Sequence, residues 1–202
     1  MSAKKQQVRL IFKLAAFGAF IMLGWLGIRN YKASVEKLKV NACIEELSEI
    51  ILNMREKFNS GKYTSLDYKM AVNLAIFPKR MFKDGYREAV NGYLGGVDVF
   101  VSSLSKDMPD SAWEISFQGL SQTGCMELVR LNLSGNSVIA VAGYGRPMPS
   151  GVLDEIYLET KQEDIKKRNI FKGNIAPFID DYRLREVCNC EDEYCTVVWK
   201  FR

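Results

Sequence analysis

Apolar residues fill the chain from Leu14 to Ile28 without a charge, and from Ala33 to Phe58 they return at helical spacing. In the second stretch Ile44, Leu47, Ile51, Met54 and Phe58 recur three and four residues apart, which places them on one helical face. Glu45, Glu46, Glu49, Arg55 and Glu56 fall elsewhere. No proline interrupts Val8–Phe58, so the pattern predicts one continuous helix, its first half in lipid and its second half lying on a globular head. The stripe reads either as core covering a sheet or as a bundle contact with identical neighbours, and different faces can serve both. Asn59-Ser60-Gly61 is predicted to end the helix, with Gly61 suited to a left-handed backbone.

Farther on, Ser65–Ala75 predicts a short second helix, interrupted at Phe77-Pro78. Val97, Val99 and Val101 alternate with Asp98 and Ser102; Trp113, Ile115 and Phe117 alternate with Glu114 and Ser116. Val197, Trp199 and Phe201 do the same with Thr196, Val198 and Lys200. Each is predicted as a half-buried strand of an antiparallel sheet with one apolar face. Gln122–Leu131 reads as a helix, Ser137–Ala142 as a strand, Asp154–Lys167 as a charged helix, and Asn174–Val187 as a less regular lead into the last cysteines. The fold class is α+β, a long N-terminal spine helix on a small antiparallel head. Its expected divisions are 1–32 for the basic segment and transmembrane helix, 33–60 for the amphipathic continuation, and 61–202 for the head.

Charge sharpens the membrane reading. The net charge is +4, but Lys4, Lys5, Arg9, Lys13, Arg29, Lys32, Lys37 and Lys39 face Glu36 alone, so the remainder is net acidic. Basic residues beside an apolar run suit anionic headgroups. The head offers no strong basic patch for nucleic acid, and Lys166-Lys167-Arg168 reads as a solvated helix face. Leu14–Ile28 as a helix covers about 22 Å, short of a hydrocarbon core of roughly 30 Å. Extension through Ile11 brings it to about 27 Å if Lys13 snorkels. A cleaved secretory signal is the alternative, although Trp25, Ile28, Arg29 and Tyr31 crowd the place of a small-residue cleavage site.

There is no histidine, which removes the commonest general base and the usual catalytic zinc ligands. Asp154-Glu155 and Asp180-Asp181 read as solvent-facing or turn acids, and Gly143-Tyr144-Gly145-Arg146-Pro147 lacks the Gly-Lys-Ser/Thr of a phosphate loop. No catalytic constellation, cofactor site or metal site is expected. Of five cysteines, Cys125, Cys188, Cys190 and Cys195 lie in the second half, which predicts one or two disulfides and an extracytoplasmic head; Cys43 reads as a buried thiol. The spacing of the last three does not match a standard zinc pattern.

The order of these elements resembles that of type IV pilins. Lys62-Tyr63-Thr64-Ser65-Leu66, Ala75-Ile76-Phe77-Pro78-Lys79-Arg80-Met81 and Asn91-Gly92-Tyr93-Leu94-Gly95-Gly96-Val97-Asp98-Val99 are similar to segments of the type IVb, PilS-like branch. So is the stretch from Trp113-Glu114-Ile115 through Cys125-Met126-Glu127-Leu128. The resemblance implies a bridge from Cys125, with Cys188 as its first-choice partner; Cys190 and Cys195 can then make a local one. It implies partners as well: membrane lipid, identical or related pilin subunits, and the pilus assembly machinery. The expected packing face is Leu14, Phe17, Phe20, Ile21, Leu23 and Leu26, with Gly18 and Gly24 allowing close helix approach; plain lipid contact is the alternative for all of them. Type IV pilins carry a glycine before the cleavage point and a glutamate as the fifth mature residue. Here no Asp or Glu precedes Glu36 and Gly18 sits inside the apolar run, so the implied pairing of that glutamate with a neighbour's amine has no acid. A membrane-tethered module that does not polymerise is the alternative function.

Overall fold

The computed structural model describes residues 3–133, 138–148, 151–173, 179–190 and 194–202, without the side chains of 3–21, Leu23 and Gly24. Helix α1 runs Ala3–Lys57. The chain divides into two units, Met1–Leu38 and Lys39–Arg202. In the first, the backbone from Ala3 is helical throughout.

The second unit is built on a sheet of five strands: β1 (Val97–Ser102), β2 (Ala112–Leu120), β3 (Val138–Tyr144), β4 (Ile170–Lys172) and β5 (Cys195–Phe201). Their order is β1-β2-β5-β3-β4, with every neighbouring pair antiparallel. Helices α2 (Tyr68–Asn73), α3 (Gln122–Val129) and α4 (Asp181–Val187) each begin at a polar cap. Asp67 accepts from Met70 N–H at 2.7 Å, Ser121 from Gly124 N–H at 3.0 Å, and Asp180 from Arg183 N–H at 2.7 Å. Each cap satisfies an amide that the first helical turn leaves without a partner.

One face of the sheet holds the expected apolar alternation. Trp113, Ile115 and Phe117 of β2 and Val197, Trp199 and Phe201 of β5 share a core with Cys43, Leu47, Ile50, Ile51 and Met54 of α1. Trp113 stacks on Phe201 with centroids 4.6 Å apart, and Phe117 meets Trp199 edge-on at 5.4 Å. The α1 stripe is therefore core. Gly61, at φ +68, takes the left-handed backbone expected just after the helix. At the start of β1, Gly95 lies so close to the Gln118 carbonyl that no Cβ fits there.

The other face corrects the half-buried expectation. Glu114, Ser116, Thr196 and Lys200 are as buried as their apolar neighbours. They are covered by a layer in which Leu153 packs with Ala140, Ala142, Ile170 and Val198, flanked by Val152, Ile156 and Ile165. That layer comes from the segment expected to be a charged helix. Asp154–Lys167 instead consists of turns and one 3-10 turn, Gln162–Asp164. The reason lies in its hydrogen bonds: Tyr157 N–H donates to Thr160 Oγ1 at 3.0 Å and Leu158 N–H to Leu104 O at 2.8 Å. Lys200 Nζ donates to the Leu153 and Asp154 carbonyls, each at 3.0 Å. Donors and acceptors that a helix would use are engaged elsewhere. Lys166-Lys167-Arg168 is exposed as expected, but on a loop.

Candidate functional site

The first candidate region is the N-terminal part of α1. Where side chains are described, Met22, Trp25, Leu26, Ile28 and Tyr31 are exposed apolar residues; Trp25 is 61% and Tyr31 71% exposed. Arg29, one turn beyond Trp25, sets its guanidinium 5.7 Å from that ring, a cation–π contact that shields little of it. Of the expected packing residues, Leu26 is exposed. Leu14, Phe17, Gly18, Phe20, Ile21, Leu23 and Gly24 are helical in backbone, and their side chains lie outside the described residues. Among the described residues no helix is long and apolar enough to cross a membrane.

From Lys39 on, α1 belongs to the head, and it carries a group that the sequence pattern missed. Glu46, placed among the polar positions, is 2% exposed. Its carboxylate accepts from Gly92 N–H at 3.0 Å. Gly92 is pressed against α1 so closely that a Cβ would strike the Lys39 carbonyl and Ala42. Burial pushes the Glu46 carboxyl up to about 7, against the hydrogen bond from Gly92 and the charges of Lys83 and Arg80. Burial, then Glu46, push the neighbouring Cys43 thiol up to about 12, so it stays protonated and inert at neutral pH. Cys43 is the free buried thiol. Signals for a buried Glu46 were its place one turn from Cys43 and the glycine in Asn91-Gly92-Tyr93.

A stability profile follows from this acid. Because the folded value lies above the unfolded one, its contribution is full below about pH 4.5 and is lost as pH rises through about 7. Glu46→Gln keeps an acceptor for Gly92 and removes the titration. The variant is expected to flatten the decline of denaturation midpoint between pH 4.5 and 7, gaining about 2–3 kcal/mol over wild type at pH 8. Parallel profiles for the two proteins would refute this.

Two cystines also hold the head together. Cys125 on α3 is bonded to Cys188 at the end of α4, and Cys190 to Cys195 at the start of β5. Of the less regular lead expected over Asn174–Val187, residues 174–178 lie outside the described residues, and Asp181–Val187 is the helix α4, signalled by Asp180 as cap and by Leu184 and Val187 facing inward. Arg130, just past α3, pairs with Asp181 of α4. With Cys188, Cys190 and Cys195 oxidised, their thiolates are not free for a metal. Among the described residues no three His, Cys, Asp or Glu side chains are grouped to hold one.

The acid pairs have structural partners. Asp180 caps α4, and Asp154 accepts from Ser102 Oγ at 2.9 Å. Glu114 Oε1 lies 3.0 Å from the same Ser102 Oγ, so the two carboxylates share its one proton, and Glu114 accepts from Gly151 and Leu153 N–H at 2.8 and 3.1 Å. Burial raises the Glu114 carboxyl and lowers the Lys200 amine to about 8, and each partly offsets the other through its charge. Gly143-Tyr144-Gly145 leaves β3 for a bend at Arg146, and among the described residues no helix N-terminus follows to complete a phosphate cradle.

The comparisons agree with this architecture. The family described as PilS N terminal matches residues 37–154. No curated protein matches the sequence. Among solved structures the chain is similar to TcpA, a type IV pilin from Vibrio cholerae El Tor biotype, with a TM-score of 0.56 at 14% identity, covering 81% of this chain and 99% of that one. That similarity speaks for the fold: a long N-terminal helix with a five-stranded antiparallel sheet. The family match spans more than half of the residues on a pilin fold, and the chain belongs to the PilS N terminal family of type IV pilin-like proteins.

Proposed function

We propose that this protein is a structural subunit or accessory of a type IV pilus-like filament. It self-associates through its N-terminal helix and displays its head outward for adhesion, motility or uptake, without catalysis of its own. The observation that carries the reading is the exposed apolar side of α1, where Met22, Trp25, Leu26, Ile28 and Tyr31 have no cover. Apolar helix surface of this kind is stable only against lipid or other helices. The same helix suits an anchor in the inner membrane before assembly, and the cystines support an extracytoplasmic head.

The test is imaging of envelope fractions with an antibody to the head, beside a Leu26→Arg variant. Filaments that bind antibody in the wild type, and their loss in the variant with both cystines intact, are expected. A chain found only as dispersed membrane monomers would overturn the reading. One observation favours the alternative, a tethered module that does not polymerise: no acid precedes Glu36. Mass spectrometry of the N-terminus separates the two. An intact start at Met1 or Ser2 supports the tether, and a new N-terminus shortly before Leu10 supports a processed pilin.

A further inference from the structure

At the end of the sheet where β3 closes and β4 begins, a groove of about 490 Å³ is lined by Tyr144, Arg146, Arg168, Asn169, Glu186 and Asn189 among others. That volume lies within the range of small-ligand sites. A second groove adjoins it and shares Tyr144, Arg146 and Asn169. The floor is fixed. Gly143 N–H donates to Asn169 O at 3.2 Å, and Asn169 Nδ2 donates back to Gly143 O at 3.1 Å. The wall is fixed too, because Asn189 lies between two cystine residues, Cys188 and Cys190. Gly145 stands so close to the Asn189 carbonyl that a Cβ would collide with it. The backbone of the groove therefore loses little freedom on binding, while Arg146, Arg168, Glu186 and Asn189 stand exposed on it.

Among the described residues neither Arg146 nor Arg168 forms an ion pair, and nor does Glu186. Tyr144 Oη is enclosed, and Asn169, the polar side chain beside it, does not meet hydrogen-bond geometry with it. The lining therefore asks for three things at once: an anion for planar guanidinium forks, hydroxyl donors for a carboxylate, and groups of either kind for two amides. A phosphate polymer offers acceptors only and is repelled by Glu186. Stacked bases need a row of aromatic side chains, and Tyr144 is the one aromatic residue in the described lining. A sugar acid supplies a carboxylate and hydroxyls on one ring.

We propose that this groove binds an acidic saccharide, its carboxylate held by Arg146 and Arg168 and its hydroxyls by Asn169, Asn189 and Glu186. The proposal rests on the reading of an outwardly displayed head and names what that head would recognise. Its test does not need assembly. The full chain in detergent is titrated by calorimetry at low salt with trigalacturonate, sialyllactose, neutral maltotriose and inorganic phosphate. At least one carboxylated sugar is expected to bind about tenfold or more tightly than maltotriose and phosphate. Arg146→Gln and Arg168→Gln are each expected to weaken it about tenfold with both cystines retained. Preference for trigalacturonate points to uronate polysaccharide as the source, and preference for sialyllactose to an animal cell surface. Equal binding of maltotriose, phosphate binding as tight as either acid, insensitivity to both arginine variants, or no carboxylated sugar bound at about 10 mM would each overturn the proposal. Failure to form filaments leaves this readout intact, so the two readings fail separately.

Discussion

Removing the long cystine with Cys125→Ala and Cys188→Ala together is expected to cost the head about 4 kcal/mol. The bridge spans 63 positions, and the entropy that it denies to the unfolded chain grows with the logarithm of that span. Cys190 and Cys195 are only 5 apart, so the same argument gives about 2 kcal/mol for Cys190→Ala with Cys195→Ala. Urea unfolding of the full chain in detergent, followed by tryptophan fluorescence, compares the pairs directly. Trp113 and Trp199 sit in the core and report its opening. Equal losses for the two pairs, or a larger loss for the local one, would show that loop closure does not govern their contribution. Contacts sharpen the expectation: Cys125 and Val187 both lie close to Gly143, which joins α3, α4 and β3 around the long bridge.

Lys200→Met is expected to destabilise the head by about 3 kcal/mol although it is a substitution of similar volume inside the fold. Lys200 on β5 and Glu114 on β2 are directly opposed in the sheet. Both reach the same turn: Lys200 takes the Leu153 and Asp154 carbonyls, and Glu114 takes the Gly151 and Leu153 amides. Methionine leaves the Glu114 charge buried without its cation and frees the turn on one side. Glu114→Gln combined with Lys200→Met removes both charges, and it is expected to recover most of the loss. The pH dependence has opposite signs at the two groups. Glu114, raised by burial, contributes less as pH climbs through its folded value. Lys200, lowered to about 8, contributes fully above its ordinary 10.5 and loses that as pH falls through about 8. A Lys200→Met effect below about 1 kcal/mol, or a double variant no better than the single, would show that the turn is held by its apolar residues alone.

What could be read from the residues, and what could not, follows from which forces are local. The α1 stripe, the glycine that follows that helix and the strand alternations are written in neighbouring positions. The pairing of Cys125 with Cys188 came through the likeness to pilins, because spacing alone leaves several pairings open. Glu46, Glu114 and Lys200 were legible only as polar positions. Their burial depends on layers contributed by residues 91–93 and 151–165, far away in the chain. Asp154–Lys167 has helical composition and no helix because Lys200, Leu104 and Thr160 compete for its backbone. The groove beside β3 was invisible for the same reason: Arg146, Arg168 and Asn189 line one surface only once β3, β4 and the cystine loop are assembled.

The central place of β5 has a bearing on biogenesis. Two ribbons, β1 with β2 and β3 with β4, emerge from the ribosome before the strand that welds them together. Until β5 arrives, each ribbon presents a bare hydrogen-bonding edge, the kind of surface that invites mispairing with a neighbour. A chaperone that covers such edges would thus matter most in the interval between synthesis of Lys172 and synthesis of Phe201.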